Sequence, residues 1–271
     1  MLSYATVSAP GATPARAAFV LHGILGSKTN WRTLARRITA EDPSWALVLV
    51  DLRLHGASQG MAPPHTLAAA ARDLDDLATT LPLPVHGVVG HSFGGKVALA
   101  YARDRAAASH LVVVDSNPGA RPDRGGSEAS LAALETLSSM GPTWERREDF
   151  LAAVLAAGHG RDIAAWLAMN LEHAERGFRL RLDVAAIRTL LDDYFVQDLW
   201  DVLESPPPGR RATVVLGARS PVLDVAELER LERLQARRLL HLDVIADAGH
   251  WVHVDQPDAT VDAVVRGLGP A

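Results

Sequence analysis

The chain has 271 residues, 48% of them hydrophobic and 22% charged, with a formal net charge of −5. This composition describes a globular protein with ample material for a core and excludes a disordered or collagen-like chain. Lys and Arg alternate with Asp and Glu instead of forming a basic stripe, so no nucleic-acid partner is expected, and the absence of cysteine excludes disulfides, a thiolate nucleophile and cysteine-ligated metal sites.

At the start of the chain, residues 1–18 carry no basic segment followed by a long apolar one. No later apolar run approaches the roughly 20 residues that span a bilayer, so a cytoplasmic protein with no membrane partner is expected. Residues 2–8 begin the sheet at an antiparallel edge. Apolar runs of strand length then recur at 18–21, 46–50, 85–89 and 111–114, each leading through a turn into a stretch of helical periodicity. That is the pattern of a parallel sheet covered on both faces. Asn30 is a candidate cap for a helix over 31–38, residues 67–80 keep helical spacing until Pro82 stops it, and 96–103 continue a helix opened after Ser92.

Between Asn117 and Pro208 the alternation lapses, and the segment reads as consecutive helices with candidate caps at Ser127, Thr143, Asp162 and Asp183. It is bounded by the turn-rich Asn117-Pro118-Gly119 and Pro206-Pro207-Pro208-Gly209, where a chain leaves and rejoins a sheet. Strands return at 213–216 and 240–245. The architecture expected is a mostly parallel, doubly wound α/β sheet of about eight strands. Its core is formed by residues 1–117 and 209–271, and residues 118–208 are inserted as a helical cap over the carboxyl ends of the strands.

The most specific motif is Gly90-His91-Ser92-Phe93-Gly94, directly after one strand and before a helix. At such an elbow a serine is held in a strained backbone conformation, its neighbours must be glycine, and its hydroxyl lies near the positive end of the following helix. Ser92 is therefore the candidate nucleophile, against the plain alternative of a glycine-rich turn with an incidental serine. A tetrahedral intermediate also needs donors for its oxyanion. The backbone N–H of Phe93 and that of Ile24, in His22-Gly23-Ile24-Leu25-Gly26, are nominated. Without the elbow, this second motif is a tight strand-to-helix loop.

A serine hydroxyl needs a base. His250, in Ala248-Gly249-His250-Trp251 after the last apolar strand, follows the nucleophile in the chain order of this kind of hydrolase. His22 and His91 read as structural, and His55 and His253 as loop or surface residues. A zinc pair of His250 and His253 lacks a third ligand at a recognisable spacing, so no metal and no cofactor are expected. Asp51-Leu52-Arg53-Leu54-His55-Gly56 reads as a charged knot supporting the loop of Ile24.

Together, His22 to Trp31, Asp51 to Ser58, Gly90 to Lys96, Val114-Asp115 and Gly249 to His253 before Pro257-Asp258 resemble the α/β-hydrolases, close to the small bacterial YbfF-type esterases and the ABHD11-like hydrolases. The likeness extends over nearly the whole chain but is loose in the inserted helices. The chain departs from the commonest hydrolase pattern in the turn Gly217-Ala218-Arg219-Ser220-Pro221, where Ser220 stands at the expected acid position. A neutral hydroxyl cannot stabilise an imidazolium as a carboxylate does. Asp115, one strand over, is the natural replacement, with Asp224 next and Asp247 after it; the resemblance implies the same use of Asp115, with Ser220 assisting. It also implies a carboxylesterase acting on a short or medium acyl ester or thioester. Carbon-carbon bond hydrolysis, perhydrolysis or a small-molecule receptor with little turnover are the rivals that the same fold allows.

Overall fold

The computed structural model describes residues 1–105 and 107–269. Among the described residues, ten strands lie in chain order: β1 (Tyr4–Val7), β2 (Arg16–Leu21), β3 (Trp45–Val50), β4 (Val85–His91), β5 (His110–Val114), β6 (Thr143–Trp144), β7 (Leu171–His173), β8 (Phe178–Leu180), β9 (Arg211–Gly217) and β10 (His241–Ile245). Seven of them form one sheet in the order β1-β3-β2-β4-β5-β9-β10. β1 is antiparallel to β3, and every other pairing is parallel. The sheet thus has seven strands where the apolar pattern suggested about eight.

The alternation of side chains along the strands sorts the core into two layers. Ala18 and Val20 of β2 and Leu47 and Leu49 of β3 face α1 (Arg32–Glu41) and the last helix, whose Val261, Val264 and Leu268 complete that layer. Phe19, Leu21, Val48 and Val50 point the other way, toward α2 (Leu67–Ala78) and α3 (Phe93–Arg103). Thr66 opens α2 by accepting from Ala69 N–H at 3.1 Å.

Between β5 and β9 the chain builds α4 (Glu128–Ser139), β6, α5 (Arg147–Ala156), α6 (Arg161–Leu167), β7, β8, α7 (Val184–Val196) and α8 (Trp200–Glu204). This insertion is not helical throughout: β6, β8 and β7 form a small antiparallel sheet of their own. Strands of two or three residues are too short to show alternation, which is why Thr143 read as a cap; it pairs with Arg179 instead. Asp183 caps α7 through Ala186 N–H, whereas Asp162 lies in the first turn of α6 behind Gly160. Asn30 belongs to a short 3-10 turn preceding α1, where its Oδ1 accepts from Ser27 N–H. Ser127 holds the N-cap position of α4 without a side-chain bond.

The insertion's Leu134, Phe150, Leu167 and Ile187 continue the core layer on the α2 and α3 side. Lys96 of α3 reinforces that join. It is fully buried, and its Nζ donates to the carbonyls of Gly119 at 2.6 Å and Tyr194 at 2.8 Å, at the start of the insertion and in α7. The remaining helices are α9 (Val225–Ala236), α10 (Val252–Asp255) and α11 (Pro257–Leu268). No helix of the described residues is long and apolar enough to cross a membrane.

Candidate active site

Ser92 stands between the end of β4 and the first turn of α3, with φ +54° and ψ −121°. This backbone is disfavoured for a residue with a side chain, and it is held by the packing around it. Ser92 N–H donates to Val114 O at 2.9 Å, fastening the elbow to β5. Gly94 is required sterically: a Cβ there would lie 2.5 Å from His22 O and 2.7 Å from Leu21 O.

The three expected polar groups meet. His250 Nε2 is 2.9 Å from Ser92 Oγ, and His250 Nδ1 is 2.6 Å from Asp115 Oδ2. Asp115 directly follows β5 with φ +47°, and it is completely buried. A buried carboxylate needs partners, and this one has three. Gly217 N–H donates to Oδ1 at 2.9 Å, Ser220 Oγ donates to Oδ2 at 2.5 Å, and His250 Nδ1 completes the set. An acceptor-only carboxylate at Nδ1 selects the Nδ1–H tautomer, which leaves Nε2 free to accept the Ser92 proton.

Asp224 is not an acid of this site: it caps α9, with its side chain on Glu227 N–H and the Glu227 side chain on Asp224 N–H. Helix capping won because the residue stands at an N-cap with an acid three positions on. Asp247 is exposed, with its side chain toward Arg219. Both ring nitrogens of His250 are engaged by Ser92 and Asp115, which leaves none for a metal shared with His253.

Three further histidines hold the surroundings, and all are buried. His91 Nε2 donates to the carbonyl of His250 at 2.8 Å, anchoring the loop that carries that residue. Burial holds His91 well below the ordinary imidazole value, so it is neutral. His22 and His55 link the Ile24 loop to the loop after β3 reciprocally. Leu52 N–H donates to His22 Nε2 at 3.1 Å, and Leu25 N–H donates to His55 Nε2 at 3.0 Å. Each Nδ1–H then faces a carbonyl, Gly23 O at 2.7 Å and Arg53 O at 2.8 Å. Burial lowers His22 to about 4 and His55 to about 3, so both remain neutral acceptors. Asp51 completes the knot by accepting from Lys28 N–H and Nζ and from Ala57 N–H.

His55 and His253 are therefore core residues, not surface ones; a lone histidine carries no periodic signature that separates the two. The His253 ring stacks on Trp31 at 5.0 Å and meets His91 at 4.6 Å. Ile24 lines the same cavity as Ser92, and Phe93 follows Ser92 in the chain. Gly23 O is turned toward His22 Nδ1 and Gly26 N–H, so the trans peptide aims Ile24 N–H the opposite way. Phe93 is the first residue of α3, where its N–H lies outside the helical ladder.

A cavity of about 260 Å³ opens at Ser92 and His250, and Ile24 lines it. Its lining includes Ser130, Ala165, Trp166 and Met169 from the insertion, together with Trp251 and Val254 from the segment of His250. Trp166 and Trp251 meet edge to face, their ring centroids 5.6 Å apart.

Comparison with known proteins places these observations in a wider set. The profile of the alpha/beta hydrolase family matches residues 18–263. The sn-1-specific diacylglycerol lipase ABHD11 of Mus musculus is 30% identical, over 98% of this chain and 85% of its own. Esterase YbfF of Escherichia coli (strain K12) is 29% identical, over 92% of this chain and 91% of its own. Among solved structures, a marine microorganism esterase superposes with a TM-score of 0.80 at 21% identity, over 98% of each chain.

Proposed function

The chain belongs to the alpha/beta hydrolase family, and on that footing we propose that it is a serine carboxylesterase cleaving short to medium acyl esters, with thioesters within reach of the same chemistry. The observation that carries this reading is the relay from Ser92 Oγ through His250 to the buried Asp115, at 2.9 and 2.6 Å, opening onto an apolar cavity. The relatives named as a lipase and an esterase support ester hydrolysis.

In the proposed cycle, Ser92 Oγ attacks the acyl carbonyl while His250 Nε2 takes its proton. Asp115 stabilises the imidazolium that forms, and it remains ionised throughout. The N–H groups of Ile24 and Phe93 hold the oxyanion. The imidazolium then protonates the departing alcohol or thiol, and an acyl-enzyme is left on Ser92. Water, activated by the same histidine, releases the acid. Residues 118–208 act as the cap that sets acyl length, since Trp166 and Met169 wall the cavity. A cavity of about 260 Å³, just below the usual range of ligand-site volumes, suits a small acyl group.

The test is turnover of a series of nitrophenyl acyl esters together with labelling of Ser92 by a fluorophosphonate, in the parent and in Ser92→Ala. Loss of both in Ser92→Ala is expected. Labelling without ester turnover redirects the reading to carbon-carbon hydrolysis or to a receptor, and absence of labelling overturns it.

A further inference from the structure

The loop that carries Ile24 is a four-residue turn, closed by Gly26 N–H donating to Gly23 O at 3.1 Å. Leu25 occupies its third position with φ +57°. Turns of this hand ordinarily carry glycine or asparagine there, because a Cβ crowds the following carbonyl. Leu25 is nevertheless fully packed, so something external holds the backbone in place.

Two hydrogen bonds do so, one on each peptide plane flanking Leu25. Its N–H donates to His55 Nε2 at 3.0 Å. Its carbonyl accepts from Asn170 Nδ2 at 2.8 Å, across 145 residues of sequence. The torsions φ and ψ of Leu25 are the angles between those two planes, so the pair of bonds fixes both. Relaxation to negative φ requires the Ile24–Leu25 peptide to turn over, a rotation shared with ψ of Ile24, the torsion that joins this plane to the one carrying Ile24 N–H.

Asn170 is buried and is itself well anchored. Its own carbonyl accepts from Arg181 N–H at 3.1 Å, and the neighbouring Met169 carbonyl accepts from the Arg181 side chain at 2.7 Å. Met169 lines the cavity. The short stretch that walls the cavity thus also grips the loop that carries Ile24.

We propose that Asn170 is a positioning residue through which the inserted segment holds the oxyanion loop in its working shape, so that hydrolysis depends on how the insertion seats against Leu25. The inference rests on the reading of Ser92 and Ile24 given above. It assigns the insertion a part in the chemical step as well as in substrate fit. Seating of an acyl chain against Met169 and Trp166 then bears on the same stretch that orients Ile24.

Ester kinetics and the rate of fluorophosphonate inactivation test it in the full chain. Asn170→Leu removes the donor at similar volume, and Asn170→Ser withdraws it without crowding. Direct loss of one oxyanion donor costs about 10²–10³ in kcat; for this indirect hold we expect a drop of about 10- to 100-fold, with KM changed by less than about threefold. Phosphonylation of Ser92 should slow by a similar factor while the melting curve stays cooperative. Because both bonds fix one residue, His55→Leu combined with Asn170→Leu should cost little more than the worse single change.

A folded Asn170→Ser enzyme with parental kcat overturns the inference, as does a loss carried wholly by KM. If Asn170→Leu does not fold, Asn170→Ser decides. Ser92→Ala is run in parallel. Residual turnover in that variant brings down the serine hydrolase reading itself, whereas parental rates in the Asn170 variants, with Ser92→Ala inactive, bring down only the role of Asn170.

Discussion

Asp115 illustrates how one buried charge is made tolerable and useful at once. Its oxygens take a backbone N–H, a serine hydroxyl and an imidazole N–H, so the cost of desolvation is offset by hydrogen bonds on both oxygens. Asp115→Asn keeps the shape but favours the wrong imidazole tautomer, and kcat should fall by about 10⁴ with the melting temperature little changed. Steady-state kinetics beside calorimetry check this; normal turnover would remove Asp115 from the relay. At this scale much was legible beforehand. Ser92 and His250 sit in short motifs, and Ser220 at the position where the commonest hydrolase pattern has an acid favoured Asp115 ahead of Asp224 and Asp247. Asn170 was not legible, because its partner Leu25 lies 145 residues away and an isolated asparagine among helices carries no local mark. His55 and His253 were misread for a related reason: their burial follows from which loops meet, and single side chains do not encode that.

The elements around the site show where backbone geometry outweighs side-chain chemistry. At the elbow, α3 approaches the end of β2 so closely that Gly94 faces the carbonyls of Leu21 and His22 within 2.5–2.7 Å of where a Cβ would sit. Gly94→Ala should therefore destabilise the fold by about 2 kcal/mol or more, since backbone atoms cannot step aside as side chains do. Urea unfolding would show this as a lower midpoint at an unchanged slope. On the opposite side of the cavity, α6 contributes Trp166, which meets Trp251 edge to face. Trp166→Ala should move the preferred nitrophenyl ester toward longer acyl chains, with kcat on the shortest ester within about threefold of the parent because the relay is untouched. An unaltered chain-length profile would free Trp166 of that role. The parallel strands were legible as apolar runs because both faces of the sheet are covered. β6, β7 and β8 were not, since two or three residues cannot display a period.

Taken whole, the molecule stakes part of its stability on neutral histidines. Burial lowers His22 to about 4 and His55 to about 3, against 6.5 for a free imidazole. Between those values and 6.5 the unfolded chain binds protons that the folded chain excludes, so stability rises with pH and is lost as pH falls from 6.5 toward 4. The urea midpoint should decline across that window, and His55→Gln, which keeps an acceptor for Leu25 without titrating, should flatten the decline. A midpoint independent of pH between 6.5 and 4 would contradict the buried, neutral state of these rings. The sheet order has a consequence of another kind. β5 and β9 are immediate neighbours, so the long excursion between them leaves and returns across a gap of about one strand spacing, roughly 4.8 Å. Loop closure grows only slowly more costly with length, and the register of the sheet is indifferent to what is strung across that gap. The excursion is in effect an exchangeable part: lineages, or designers, can lengthen it, trim it or exchange it, and Ser92, His250 and Asp115, which lie outside it, are inherited intact. A replacement would have to bring two things with it: carbonyls for the buried Lys96, and an amide to stand where Asn170 now meets Leu25.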